Sequence, residues 1–75
     1  MKQIDDLIDK GKKFLEDGEF DNALRCFEQV LLLNQNDPEL WNFKGAALRS
    51  MGRYEEALEC FNKSLEIDPR DKFAS

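Results

Sequence analysis

The sequence repeats itself every 34 residues, and this period constrains the fold more than any other feature of the chain. Glycines mark it most clearly, since Gly11 aligns with Gly45 and Gly18 aligns with Gly52. Identical pairs at the same offset include Lys10 and Lys44, Ala23 and Ala57, Leu24 and Leu58, Cys26 and Cys60, Phe27 and Phe61, Leu31 and Leu65, and Asp37 and Asp71. A fixed period of this length is typical of proteins built from stacked copies of one unit. We therefore expect one domain, residues 1–75, with copies at 4–37 and 38–71 and the first few residues of a third copy at 72–75.

Within the first copy, apolar residues recur at intervals of three and four, as they do on the buried face of a helix. The first helix carries this pattern at Ile4, Leu7, Ile8, Gly11, Phe14 and Leu15, and the second at Ala23, Leu24, Phe27, Val30 and Leu31. Gly18 suits the left-handed position that ends the first helix. Asp21 is expected to cap the second helix, which ends before the polar residues 34–36. The first copy is therefore predicted to be a helical hairpin.

The second copy predicts the same hairpin with clearer boundaries. Asp37 can accept hydrogen bonds from the free amides that open the third helix, and Pro38 suits its first position. The third helix is expected to end near Met51, with a turn at Gly52. Glu55 and Glu56 suit the first turn of the fourth helix, which is expected to end near Ile67 because Asp68 and Pro69 follow. Since the sequence has no strand pattern, the expected fold class is all-α, with four antiparallel helices.

Composition narrows the classes of partner. The chain has 11 lysines and arginines against 16 aspartates and glutamates, a net charge of −5, and the two signs are interspersed. This balance disfavours nucleic acid and anionic membrane as partners. The longest apolar run, residues 30–33, is far too short to span a bilayer, and no basic segment leads into a signal-like stretch. A cytoplasmic location is therefore expected.

The two cysteines are expected to be structural. Cys26 and Cys60 occupy equivalent positions in the two copies. Stacking of the two hairpins would therefore hold their Cα atoms farther apart than the ~7 Å that a disulfide can bridge. We expect two free thiols that pack as small apolar side chains.

The sequence has little material for catalysis. It lacks histidine, has no serine or cysteine beside a plausible base, and has no glycine-rich phosphate loop before a helix. The adjacent carboxylates Asp5-Asp6 and Glu55-Glu56 are better explained as solvated first turns, which the helix dipole favours. We therefore expect no enzymatic activity, no catalytic residue, no metal site and no cofactor.

The chain resembles the tetratricopeptide repeat family. The second copy carries the family's spaced signature at Trp41, Gly45, Leu48, Gly52, Tyr54, Ala57, Phe61 and Pro69, and the first copy carries it at Leu7, Gly11, Phe14, Gly18, Phe20, Ala23 and Phe27. The resemblance implies an α-α superhelix of stacked hairpins. Small residues allow the two helices of a hairpin to approach closely. Trp41, Tyr54 and Phe61 are expected to supply most of the buried area in the second copy.

Two residues depart from the family's pattern in ways that bear on packing. Lys10 and its counterpart Lys44 stand where the family usually has leucine, and a lysine can lay its methylene stem along the core while its ammonium reaches water. Gln35 stands where the second copy has Pro69, which predicts a less sharply ended second helix.

The resemblance also implies a binding site, because in this family the first helix of each hairpin lines a concave groove that receives an extended peptide or a partner helix. The groove positions fall at Asp5, Ile8, Lys12, Leu15, Glu39, Asn42, Ala46 and Arg49. We expect Lys12 and Arg49 to bind a carboxylate and Asn42 to bind a peptide backbone. The family's clamp for acidic C-terminal tails is not expected, since Ile8, Lys12 and Phe43 stand at its positions.

Two functions are compatible with this pattern. The first is a protein-binding module or scaffold, a fragment of a longer repeat array whose partner is a protein or peptide. The alternative is a self-assembly module that forms a homodimer through the apolar side of the last hairpin, which no further helix covers. The residues predicted for that surface are Leu58, Phe61, Leu65 and Phe73.

Overall fold

The computed structural model describes residues 2–69, with side chains from residue 4 onward. Four helices follow one another there: α1 (Lys2–Asp17), α2 (Phe20–Leu33), α3 (Pro38–Ser50) and α4 (Tyr54–Ile67). Each helix packs against the next along the chain, and this part of the chain has no strand. The predicted all-α fold is confirmed. The residues assigned to a third copy, and Asp71, lie outside the described residues.

Glycine closes the turn inside each hairpin. Gly18 and Gly52 have φ angles of 81° and 83°, the left-handed region that side chains disfavour. Backbone bonds close both turns alike, since Glu19 N donates to Phe14 O at 2.8 Å and Arg53 N donates to Leu48 O at 2.9 Å. The predicted C-terminal glycine caps are therefore confirmed.

The predicted cap is confirmed for α3 and wrong for α2. The Asp37 Oδ1 atom accepts a hydrogen bond from Glu39 N at 3.0 Å, and Pro38 is the first helical residue. By contrast, α2 begins at Phe20, so Asp21 already lies within its first turn. The residue at the cap position is Glu19, whose side chain makes no capping bond. The turn at Gly18 leads directly into the helix and leaves no place for Asp21 to cap it.

The expectation that Gln35 loosens the end of α2 is also wrong. α2 ends at Leu33 and α4 ends at Ile67, which are equivalent positions, and an extended residue follows each. Two local bonds hold the exit from α2 without a proline. Asn36 N donates to Asn34 Oδ1 at 3.2 Å, and the indole nitrogen of Trp41 donates to the Gln35 carbonyl at 2.9 Å.

The core lies mainly along α2 and α3. Its largest fully buried side chains are Phe27 and Val30 from α2 and Leu40 from α3. Ala23 of α2 and Ala47 of α3 are also completely buried, and small side chains of this kind let helices pack closely. Helices α1 and α4 add partly buried apolar residues at the two sides of this core.

The expectation for aromatic burial in the second copy is wrong for Tyr54, which is 67% exposed. Trp41 and Phe61 are partly buried and pack against the core. The buried apolar residues of this copy are Leu40, Ala47, Leu48, Ala57 and Cys60. For Tyr54 the physical reason is coverage, because among the described helices α2 is packed between α1 and α3, whereas the main contacts of α4 are with α3. Both cysteines are buried and free, as predicted.

Candidate functional site

The eight residues predicted to line a groove form one stripe on α1 and the equivalent stripe on α3. Asp5 and Lys12 of α1, and Glu39, Asn42 and Arg49 of α3, are exposed, whereas Ile8, Leu15 and Ala46 are half-buried. Spacings of three and four residues place each set along one helix face. All eight side chains therefore keep surface that a partner can contact.

Phe43 joins the two stripes, although sequence reasoning did not assign it to this surface. Its ring stacks on Phe27 with centroids 5.3 Å apart and an interplanar angle of 15°. The Nζ atom of Lys12 on α1 lies 5.2 Å from the Phe43 centroid. Asp9 stands at the equivalent position of the first copy, so the period contains no signal for an aromatic residue here. The only hint in the sequence was that Phe43 replaces the acidic Asp9 of the first copy.

The two cations of the stripe each lie against an aromatic ring. Besides Lys12 on Phe43, the guanidinium carbon of Arg49 lies 5.8 Å from the Phe61 centroid on α4. The ion pairs among the described residues are Lys44 with Glu28 and Arg53 with Glu56. Neither stripe cation takes part in them. A ring face attracts a cation without neutralising its charge, so both head groups are positioned and remain open to an anion.

Charge changes sign along the stripe. Asp5 and Glu39 lie in the first turns of α1 and α3, whereas Arg49 lies in the last turn of α3 and Lys12 in the C-terminal half of α1. The helix dipole favours acids at the first position and bases at the last. Ile8 adds apolar surface between the two signs. From the N-terminal to the C-terminal ends of α1 and α3, the stripe thus offers acidic, then apolar, then basic contacts.

Lys44 belongs to a different cleft, between α2 and α3. Its Nζ atom lies 3.7 Å from Glu28 Oε2 and 5.5 Å from the Trp41 centroid, and its side chain is 23% exposed. The cleft has a volume of about 390 Å³ and is lined by Glu28, Leu31, Leu32, Gln35, Trp41 and Lys44. The ammonium group is thus held by a carboxylate and a ring, in contrast to that of Lys12.

The predicted self-association face lies on α4, and its exposure can be compared with the equivalent positions of α2. Leu58 is 60% exposed where Leu24 is 8% exposed, and Leu65 is 40% exposed where Leu31 is 6% exposed. Phe61 is half-buried and packs against the core. Phe73 lies outside the described residues. α4 therefore presents apolar side chains that α2 buries.

Ionisable groups near α4 have structural partners. The Arg53 guanidinium makes two hydrogen bonds to the Glu56 carboxylate, at 2.6 and 2.7 Å. This bonding lowers the pKa of Glu56 and raises that of Arg53. Burial raises the pKa of the Cys60 thiol, which favours the unreactive protonated form. The Glu55-Glu56 pair therefore includes one carboxylate already engaged by arginine.

Two further observations concern residues 2–69 as a whole. Their Asp, Glu and Cys side chains form no group of three or more that could hold a metal ion. None of their helices combines the length and the apolar composition that a membrane crossing requires.

Comparison with known families tests the resemblance of the repeated signature. A sequence profile of the tetratricopeptide repeat matches residues 38–71, and a second profile with the same description matches residues 14–40. The chain belongs to the tetratricopeptide repeat family. The two matches extend from the second half of α1 to beyond the end of α4, so tetratricopeptide repeat sequence accounts for most of the described fold.

Relatives of this tetratricopeptide repeat chain include the peroxisomal targeting signal receptors of Candida glabrata and Saccharomyces cerevisiae. Each is 37% identical over 59 residues, which make up 79% of this chain and 10% of the receptor. An uncharacterised protein of Methanocaldococcus jannaschii is 35% identical over 68 residues, which make up 91% of this chain and 79% of that protein. The chain thus spans about a tenth of the receptors' length.

Proposed function

We propose that this chain is a protein-protein interaction module that receives a peptide or a partner helix on the stripe shared by α1 and α3. One observation carries the proposal. Lys12 and Arg49 are held against aromatic rings without a carboxylate partner among the described residues, in a chain whose acids outnumber its bases. Such cations are suited to bind carboxylates of a partner.

The neighbouring residues would supply the rest of a peptide site. Asn42 is exposed on α3, and its side-chain amide can donate to and accept from an extended peptide backbone. Ile8 and Leu15 are half-buried and offer apolar surface to a partner side chain. An acidic peptide with at least one apolar residue fits this combination.

The relatives support a protein or peptide as the partner. The peroxisomal receptors are named for a targeting signal that they receive, and they share the repeat with this chain. Because the shared part is a small fraction of each receptor, their particular signal is not carried over. A cytoplasmic location, and the exclusion of nucleic acid and membrane, stay predictions.

Binding to an array of short peptides of varied charge tests the proposal. We expect the wild-type chain to prefer peptides that contain carboxylates, with affinity that falls as ionic strength rises. The double variant Lys12→Glu/Arg49→Glu should lose about tenfold in affinity, ~1.4 kcal/mol. A matched control, Lys13→Glu/Lys63→Glu, makes the same change in net charge at exposed positions outside the stripe and should bind like the wild type.

If the two double variants lost the same affinity, the loss would come from the change in net charge alone, and this result would contradict the proposal. A circular dichroism spectrum of each variant confirms that it remains helical, so that a loss of binding is not a loss of fold.

Homodimer formation through α4 also stays a prediction. The exposure of Leu58 and Leu65 supports it. Size exclusion with light scattering tests it directly, since a monomer at high micromolar concentration would exclude this alternative.

A further inference from the structure

We propose that the stripe on α1 and α3 binds a helix of another protein in one direction, antiparallel to α1 and α3. The helix that it selects is acidic in its first turn, apolar in its middle and basic in its last turn. This inference rests on the proposed function, because it concerns the same stripe. It goes further by naming the order of charges in the partner and the direction in which the partner lies.

The two helices of the stripe run in the same direction. α2 packs against both of them, and it is joined to them only by residues 18–19 and 34–37. Helices that pack against each other across connections this short are antiparallel neighbours, so α2 runs opposite to both α1 and α3. Lys12 of α1 lies against the Phe43 ring of α3, which shows that the two helices are side by side. Their N-terminal ends therefore lie at one end of the stripe and their C-terminal ends at the other.

Opposite charges are separated along both helices. The acidic end of the stripe carries Asp5 and Glu39, the basic end carries Lys12 and Arg49, and all four are exposed. At the rise of an α-helix, Asp5 and Lys12 are separated by roughly 10 Å along the axis, and Glu39 and Arg49 by roughly 15 Å. Both separations exceed the Debye length of about 8 Å at physiological ionic strength. A partner therefore interacts with each end as a separate charge.

A neighbouring carboxylate makes the basic end weaker on α1 than on α3. Glu16 is exposed one turn beyond Lys12, and the ion pairs among the described residues do not join the two side chains. In the second copy, Ser50 stands at the position of Glu16, and Arg53 stands one turn beyond Arg49. Arg49 therefore has no acid at the equivalent place, and we expect it to make the stronger contact with a partner carboxylate.

Helix dipoles decide the direction of the partner. A helix favours acids in its first turn and bases in its last turn, because its N-terminus is partially positive and its C-terminus partially negative. In the antiparallel direction, the acids of the partner meet Lys12 and Arg49, its bases meet Asp5 and Glu39, and dipole ends of opposite sign lie side by side. A parallel partner would match the same charges only with bases in its first turn and acids in its last turn, against its own dipole.

The middle of the stripe suits an apolar turn of the partner. Ile8 and Ala46 lie between the acid and the base of their helices, and both are half-buried. The small side chain of Ala46 lets another helix approach closely. The span from Glu39 to Arg49 corresponds to about three turns of a partner helix, so its middle turn lies over these two residues.

The experiment uses the whole chain and two stapled helical peptides that have blocked termini and the same composition. Stapling removes the cost of folding a short helix, which isolated peptides of this length rarely form. The segregated peptide carries two glutamates in its first turn, leucines in its middle and two lysines in its last turn. The mixed peptide carries one glutamate and one lysine in each of those turns, so both peptides have no net charge. We expect fluorescence anisotropy to show at least about fivefold tighter binding of the segregated peptide, with a smaller ratio at high ionic strength.

Spin labels and variants test the direction and the acidic end. A nitroxide at the N-terminus of the segregated peptide should broaden the amide resonance of Arg49, and one at its C-terminus should broaden that of Glu39. The variant Asp5→Asn/Glu39→Gln should lose most of the preference for the segregated peptide. The matched control Asp6→Asn/Glu55→Gln removes the same charge at exposed positions outside the stripe and should keep the preference.

Three outcomes would overturn this inference and leave the proposed function in place. These are equal affinities for the two peptides, an equal loss of preference in the two double variants, or spin labels that show the parallel direction. If neither peptide bound and the array of short peptides showed no preference for carboxylates, the proposed function would fail as well. Glu16→Gln removes the carboxylate beside Lys12 and should tighten binding of the segregated peptide, and weaker binding would contradict the role of the basic end. Circular dichroism on each variant separates these results from unfolding.

Discussion

Gly11 and Phe27 meet so closely that residue 11 has no room for a side chain. A Cβ atom at this position would lie 2.6 Å from both Cε1 and Cζ of the Phe27 ring. The equivalent pair in the second copy is Gly45 and Phe61, where the shortest such distance is 2.7 Å. Nonbonded carbon atoms prefer separations of about 3.5–4.0 Å, so the helices of each hairpin approach through these glycines.

The two contacts differ in how easily they can relax, which predicts different costs for the same substitution. Phe27 is completely buried and stacked on Phe43, whereas Phe61 is half-buried and can tilt outward. Gly11→Ala should destabilise the fold by about 1–3 kcal/mol. Gly45→Ala should cost clearly less, because the Phe61 ring can move away, whereas the ~1 kcal/mol helical preference of alanine over glycine applies to both positions. Urea unfolding of both variants measures the difference, and a larger loss at Gly45 would contradict the explanation.

Helix caps provide a second prediction. Asp37→Ala removes the bond from Glu39 N and should destabilise the chain by about 1 kcal/mol. Asp21→Ala is the matched control, because Asp21 lies inside α2 and makes no cap, so its loss should cost only a few tenths of a kcal/mol through the helix dipole. Thermal unfolding of the two variants checks both values. Equal costs would mean that Asp21 caps the helix after all.

Much of the fold could be predicted because its determinants are local or periodic. Gly18 and Gly52 fix the turns through their own backbone conformation, and Asp37 caps α3 two residues away. Asp21 was wrongly assigned as a cap because aspartate is favoured both at the cap position and in the first turn, and these positions lie only one or two residues apart. Phe20 and Tyr54 match in type and position, yet Tyr54 is mostly exposed. Type and spacing predict which face a residue lies on but not whether another helix covers that face.

The candidate site could be predicted in part. The stripe positions are implied by the family resemblance, and all eight keep exposed surface, but their binding role stays a prediction. Phe43 was missed because its contacts with Lys12 and Phe27 join three helices and depend on how the hairpins pack. Such contacts have no signature in the spacing of a single helix.

Acidity should weaken the start of α4. The hydrogen bonds from Arg53 lower the pKa of Glu56 in the folded chain. A group with a lowered folded pKa stabilises the fold above its unfolded pKa, and that contribution is lost as the pH falls through the folded pKa. We expect NMR titration to give a Glu56 pKa below that of a model peptide, and Arg53→Gln to return it upward. Glu55 in the same turn serves as the internal reference for effects of the helix terminus. An unchanged Glu56 pKa in Arg53→Gln would contradict the role of this pair.

The two equivalent phenylalanines should differ in their importance for stability, although their sequence contexts are alike. Phe27→Ala leaves a cavity enclosed by α1, α2 and α3, and should cost about 3–5 kcal/mol, close to the whole stability of a small domain. Phe61→Ala should cost less, because part of its ring already contacts solvent and the site can collapse from one side. Thermal melts followed by circular dichroism rank the two variants, with Phe61→Leu as a control that keeps an apolar side chain. If Phe61→Ala were the more damaging change, α4 rather than α2 would hold the centre of the core.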